Sequence, residues 1–143
     1  MEALPGVSNV VPRSARLIQE IRSLSRESIE ALFASSEDLA RKISQREGIE
    51  LKIRRLSYNA PSPLSERVMS AIEQSCSQLG VSSMRMPSGA GHDAQSLAPH
   101  CDAGMIFVPS WRGASHRPDE ATDEAALEIG ANVLLGTIRR FVQ

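Results

Sequence analysis

The run Asn59-Ala60-Pro61-Ser62-Pro63 constrains the fold more than any other stretch of the chain. Each proline lacks a backbone N–H and fixes φ, so neither a helix nor a central strand can pass through it. A domain boundary is predicted there, dividing the sequence into residues 1–60 and 61–143. For a chain of 143 residues, which is one ordinary domain by length, that break leaves two short pieces.

Upstream of the break, Val7 to Arg22 reads as extended structure interrupted by Pro12. From Ala15, strict alternation puts Ala15, Leu17, Gln19 and Ile21 on one face and Arg16, Ile18, Glu20 and Arg22 on the other. Ser25 is the predicted N-cap of a helix, with Glu27 and Glu30 near the positive end of its dipole. Ile29, Leu32, Phe33, Leu39, Ala40 and Ile43 form its apolar stripe, and Gly48 stops it. A strand is predicted next, with Ile49, Leu51 and Ile53 alternating against Glu50, Lys52 and Arg54. Its phase slips at Arg55, since Leu56 and Tyr58 have the opposite parity, as a bulge or a change of partner would require.

Downstream, Val68, Met69, Ile72, Cys76 and Leu79 predict a second amphipathic helix closed by Gly80. A glycine-rich loop, Ser88 to Gly91, leads into a short helix over Ala94 to Ala98. Met105-Ile106-Phe107-Val108 is a continuous apolar run, as in a strand buried on both faces. Thr122 or Asp123 caps a last helix, whose Ala126, Leu127, Gly130, Leu134, Ile138 and Phe141 share a face. The order β-α-β followed by α-β-α gives an α/β class built from two half-layers.

Composition narrows the function. Hydrophobic residues are 41% and charged residues 23%, which is globular composition. Aromatics, at 3%, are too few for a nucleic-acid stacking surface, and 16 basic against 17 acidic residues leave a net charge of -1. Neither nucleic acid nor an anionic membrane is an expected partner. No apolar run has the length of a bilayer span. Cys76 and Cys101 make no CxxC pair, and Met1 to Gly6 has neither a basic nor an apolar leader segment. A cytoplasmic protein without a signal peptide is the expectation.

All three histidines, His92, His100 and His116, fall between positions 92 and 116, among Asp93, Asp102, Asp119 and Glu120. Their loops flank one predicted strand, where α/β folds place ligands, although solvated loop histidines would have the same spacing. No HxxxH or HxH pairing makes a zinc module. Ser88-Gly89-Ala90-Gly91 could bring backbone N–H groups close to an anion, or could simply need glycine for positive φ. No Gly-Lys-Ser/Thr follows, so the loop is not a P-loop. His116, with acidic neighbours able to orient its ring, suits a metal ligand. The alternative is a surface turn set by Pro118. A Ser–His–Asp hydrolase using Ser88 or Ser110 would lack the GxSxG elbow.

Taken together, three segments resemble one family. They are Pro87 to Ala94, Gly104 to Ser110, and Gly113 with Ser115-His116, Pro118 and Glu120. The family is the metal-dependent amidase/hydantoinase–carbamoylase branch of the aminoacylase and carboxypeptidase superfamily, which includes N-carbamoyl-L-amino-acid hydrolases, allantoate amidohydrolase and one type of β-ureidopropionase. Asn9-Val10-Val11-Pro12 with Ile21-Arg22-Ser23 is similar to the strand of that family's lid or dimerisation domain. Leu56 to Pro61 resembles the return into the catalytic domain.

The resemblance implies a partial zinc-peptidase-like fold: an α+β portion of a ferredoxin-like lid over residues 1–60, and an α/β catalytic portion over 61–143. It implies a homodimer formed through the lid, two divalent metal ions, zinc or manganese, and a small carboxylate substrate. His116 resembles a metal ligand. His92 and the backbone at Gly91 resemble substrate contacts, with Gly91 near the substrate carboxylate. Asn9 and Arg22 resemble lid residues that reach the neighbouring subunit's site, where a guanidinium would grip a carboxylate bidentately as lysine could not.

The departures are equally specific. In the family, the other metal ligands and the catalytic glutamate lie upstream, in an HxD segment, a Glu-Glu pair and a further His. Here no histidine precedes His92 and no Glu-Glu pair occurs. Arg117 replaces the small residue usual after the metal histidine, and Glu20 stands where Asp is common. The resemblance therefore implies a C-terminal fragment of an amidohydrolase acting on N-carbamoyl amino acids or ureido acids, with no catalytic residue of its own. Alone, it is expected to hold no metal pair and to be inactive. The alternative expectation is a non-catalytic dimerisation or carboxylate-binding module derived from the same family.

Overall fold

A computed structural model describes residues 1–142. It contains two compact units, one ending at Ala60 and the other beginning at Pro61. Mixed helix and sheet is the architecture, with helix dominant.

In the first unit, β1 (Glu2–Leu4) and β2 (Ser14–Arg16) pair antiparallel, with Ala3 opposite Ala15. The Arg13 N–H bonds the Leu4 carbonyl at 2.8 Å and closes the intervening loop. Helix α1 spans Arg26–Glu47. Ser25 caps it as expected: its Oγ accepts the Ser28 N–H at 3.1 Å and donates to Glu27 at 2.8 Å. Gly48, at φ 64°, ends it in the left-handed conformation that a side chain would oppose.

Of the predicted α1 stripe, Ile29, Phe33, Ala40 and Ile43 are at least partly covered, while Leu32 and Leu39 stay exposed. Ile49 to Arg54 is not a strand. A strand exists only where a neighbour completes its hydrogen-bond ladder, and among the described residues β1 and β2 pair only with each other. The parity slip has a side-chain cause. Arg55 turns onto α1, where its guanidinium covers the Phe33 ring at 4.2 Å and bonds both Glu30 oxygens at 3.1 and 2.8 Å.

In the second unit, α2 (Glu66–Gln78) packs against α4 (Glu124–Arg139), with the five-residue α3 (Asp93–Leu97) between them in sequence. Asp123 takes the N-cap position of α4. The buried residues are small: Ala71, Ser75 and Cys76 on α2, Val133 and Thr137 on α4, and Ala103 and Ala114 from the connections. Ser75 and Thr137 satisfy their hydroxyls on the preceding helical turn, at Ala71 O and Val133 O, and meet each other at 3.3 Å.

The face of α4 is therefore rotated from the predicted one. Ala126, Gly130, Val133 and Thr137 face inward, while Leu127, Leu134 and Ile138 are about half exposed. Small side chains allow the closer helix approach, and bulk was the wrong guide.

Met105 to Val108 also departs from expectation. It is not a strand, and only Met105, Ile106 and Val108 are partly covered. Gly104 and Gly130 set its position, since a Cβ on Gly104 would overlap Val68 and one on Gly130 would overlap Val108. The segment lies on α2 and α4 along one side only, leaving Phe107 exposed. Among the described residues, no helix is long and apolar enough to cross a membrane.

Candidate functional site

The glycine-rich loop is approached from a fixed point. Arg85 bonds Glu73 through Nε and Nη2 at 2.7 and 3.0 Å, and Glu66 through Nη1 at 2.7 Å. Both acids are on α2, so this clamp pins the incoming chain to that helix. Glu73 and then Glu66 raise the Arg85 pKa, and the same pairing lowers that of Glu73.

Three residues beyond Arg85, at Ser88, the loop turns on a hydroxyl. Ser88 Oγ lies 2.8 Å from His92 Nε2, accepts the Ala90 N–H at 3.2 Å, and is 3.1 Å from the Ala90 carbonyl. On its other side the His92 ring meets Phe107 edge-on, with centroids 5.6 Å apart and planes at 70°. Phe107 is exposed, while its neighbours Ile106 and Val108 are partly covered. His92 is also the N-cap of α3, in an extended conformation.

Neither loop glycine is required by its backbone. Among the described glycines, positive φ occurs at Gly48, Gly80 and Gly113, and not at Gly89 or Gly91. A Cβ on Gly91 would meet only Gln95 Oε1, at an ordinary 3.6 Å. The positive-φ reading of this loop is thus incorrect, and Gly91 keeps an open backbone surface.

The second histidine loop is closed on itself. Trp111 N–H bonds Ala121 O at 2.7 Å across its base. His116 is exposed and holds a left-handed φ of 58°, a strained setting for a non-glycine residue. Its backbone N–H donates to Glu120 Oε2 at 2.9 Å, while Asp119 pairs with Arg117 at 2.8 Å. The acidic neighbours therefore brace the backbone and Arg117, and the imidazole ring receives neither of them.

Asn9 lies in the loop between β1 and β2, and Arg22 follows β2; both are exposed. Arg22 bonds Glu20 Oε1 through Nε at 2.9 Å and Nη2 at 2.7 Å. Gly91 and His92 sit together in the second unit, on the loop described above.

Among the described residues, no group of three or more His, Cys, Asp or Glu could hold a metal ion. His100-Cys101-Asp102 has the His-x-Asp spacing, but it lies downstream of His92. Asp102 there pairs with Arg67 at 3.4 Å, and Cys101 bonds the Leu97 carbonyl. The residues present do not fit a dinuclear centre.

Sequence reasoning weighed Ser88 only as a nucleophile and placed Phe107 in a buried strand. The Ser-x-x-x-His spacing at 88 and 92 was the available signal for their contact. A separate hollow of about 370 Å³ between α2, α4 and residues 104–106 is lined by Val68, Ile72, Met105, Ile106 and Leu134 and by no ionisable group. It is a packing space and not a chemical site.

Residues 5–140 match the model of peptidase family M20/M25/M40. An N-carbamoyl-L-amino acid amidohydrolase of Geobacillus stearothermophilus is 36% identical over 143 residues, covering 100% of this chain and 35% of that protein. Allantoate amidohydrolase of Bacillus subtilis is 36% identical over 132 residues, covering 92% and 32%. The crystal structure of an amidase of the hydantoinase/carbamoylase family from Burkholderia vietnamiensis superposes with a TM-score of 0.73 at 30% identity, covering 80% of this chain and 28% of that one. The chain spans about a third of the length of the curated relatives it matches.

Proposed function

The chain belongs to peptidase family M20/M25/M40, and from that premise we propose that it is the substrate-recognition part of a metal-dependent amidohydrolase. The bond cleaved is a C–N bond of an N-carbamoyl amino acid or of a ureido acid such as allantoate. The observation that carries this reading is the 36% identity to an N-carbamoyl-L-amino acid amidohydrolase along the entire chain.

The roles divide between the two units. Residues 61–143 form part of the catalytic domain, in which His92 and the Gly91 backbone contact the substrate, Gly91 near its carboxylate. The open surface at Gly91 supports this, since neither φ nor packing accounts for the missing side chain. His116 is a single metal ligand. Residues 1–60 form part of the lid, and through it a homodimer in which Asn9 and Arg22 reach the neighbouring subunit's substrate. The metal pair, zinc or manganese, and the base that activates water belong to protein regions outside these residues. What this chain contributes is orientation: a guanidinium and backbone N–H groups hold the carboxylate so that the scissile carbon is placed for attack.

A second reading is favoured by the donor set, which offers no group of three candidate ligands among the described residues. On that reading, the chain is a non-catalytic carboxylate-binding or dimerisation module of the family.

The test is to incubate the purified 143-residue chain with zinc or manganese and N-carbamoyl amino acids or allantoate, following amino-acid and ammonia release. No turnover is expected, together with saturable binding of the carboxylates by calorimetry. Metal-dependent turnover would overturn the division of roles, and absence of binding would overturn the recognition role.

A further inference from the structure

We propose that Phe107 is a positioning residue for His92: its ring sets the plane of the imidazole, and through that side chain it strengthens binding of a carboxylate ligand. A histidine on a fixed backbone has two side-chain torsions, and the second, about an sp³–sp² bond, has broad wells. One contact therefore leaves the ring free to rock. The Ser88 hydroxyl, 2.8 Å from Nε2, restrains one point of the ring whichever partner donates. The second restraint comes from Phe107, whose ring meets the imidazole edge-to-face, with centroids 5.6 Å apart and planes at 70°. That geometry is favoured because the positive edge of one ring meets the negative face of the other.

The restraint has a firm footing. His92 stands at the end of a loop, as the N-cap of the five-residue α3. Phe107 belongs to a segment held by the helix pair: Ile106 lines the hollow between α2 and α4, and a Cβ on Gly130 would overlap Val108. The ring contact thus ties a loop histidine to the packed helices of the same unit. Phe107 is 47% exposed, so burial accounts for only part of the reason an aromatic ring stands there. Gly91, beside His92, leaves the backbone open to a ligand. The ligand part of this inference rests on the reading of His92 as a substrate contact; the ring contact does not.

Two measurements test it. Nuclear Overhauser spectroscopy of the labelled wild-type chain should show contacts between the ring protons of His92 and Phe107. Calorimetric titration with N-carbamoylglycine should show binding weakened about 2- to 10-fold in Phe107→Leu, which keeps apolar bulk but loses the ring, and regained in Phe107→Tyr. In a His92→Ala background, Phe107→Leu should add nothing, because its effect passes through the imidazole. Absence of the ring contact in the wild type overturns the proposal whatever the variants do. An equal loss in the His92→Ala background also overturns it, since Phe107 would then act on the fold or on the ligand directly. So does loss of the circular dichroism of the folded chain in Phe107→Leu, which would make the ring a core residue. Weakened binding in His92→Ala with none in Phe107→Leu overturns the positioning role and leaves the substrate contact standing. Undiminished binding in His92→Ala overturns the substrate contact itself, and with it the part given to Phe107.

Discussion

Glu120 Oε2 accepts the backbone N–H of His116 at 2.9 Å, across the turn that contains Pro118. This contact holds His116 at φ 58°, where a non-glycine residue does not rest by itself. In Glu120→Ala the amide of His116 is expected to lose protection of about 1 kcal/mol, which is about fivefold faster hydrogen exchange. Exchange read at that amide checks it. His116→Gly in the same background should relieve the backbone strain and leave global stability unchanged or slightly higher.

The Arg55 clamp predicts an acid-sensitive first unit. The Arg55 guanidinium bonds Glu30 and holds its carboxyl below the ordinary value of 4.5. A depressed carboxyl stabilises the folded form fully above its unfolded pKa, and that contribution is lost as pH falls through the lowered folded value. Carboxyl carbon NMR should therefore place the Glu30 midpoint below 4.5 and move it back up in Arg55→Met. Arg55→Lys should give an intermediate value, since lysine keeps the charge but loses the paired hydrogen bonds. An unmoved midpoint in Arg55→Met would show that the pair does not form in solution.

Close approach between Gly130 and Val108 predicts a compensating pair. An added Cβ at 130 would overlap the Val108 side chain, so Gly130→Ala should destabilise the second unit by about 1–3 kcal/mol despite the better helix propensity of alanine. Val108→Ala in addition should recover part of that loss, leaving a coupling of about 0.5 kcal/mol or more in a double-mutant cycle. Urea denaturation followed by circular dichroism measures it. Additive effects would mean that segment 104–108 does not lie on α4.

These contacts also show why some of the fold was legible and some was not. The ends of α1 were written locally, in the Ser25 hydroxyl and the Gly48 backbone, and the structure has them as read. The strands at 49–54 and 105–108 were not local facts, because a strand depends on a neighbour that the pattern of its own residues cannot supply. The buried face of α4 was misread for a different reason. Apolar bulk pointed to Leu127, Leu134 and Ile138, whereas close packing on α2 selected Gly130, Val133 and Thr137. At the candidate site, His92, Gly91 and His116 were legible as unusual residues in loops. The hydroxyl–imidazole contact was not, since it depends on the rotamers that Ala90 and Phe107 impose.

The last prediction concerns what Arg22 holds before a ligand arrives. Its Nε and Nη2 lie 2.9 and 2.7 Å from the same oxygen of Glu20, so an internal carboxylate already occupies part of the fork that we propose for the substrate. Both side chains are well exposed, at 60% and 69%, and exposed pairs are worth only about 0.2–1 kcal/mol. A ligand carboxylate that takes both N–H groups must displace Glu20 and recover at least that much. Glu20→Gln removes the competing charge, and should tighten binding of N-carbamoyl amino acids by about 1.5- to 5-fold in calorimetric titration. The gain should shrink at high salt, where the exposed pair is already screened. Arg22→Lys should weaken binding because a point charge cannot reproduce the bidentate fork, and Arg22→Ala should weaken it further. Weaker binding in Glu20→Gln would reverse the assignment: Glu20 would then be aiming Arg22 at the ligand and not competing with it.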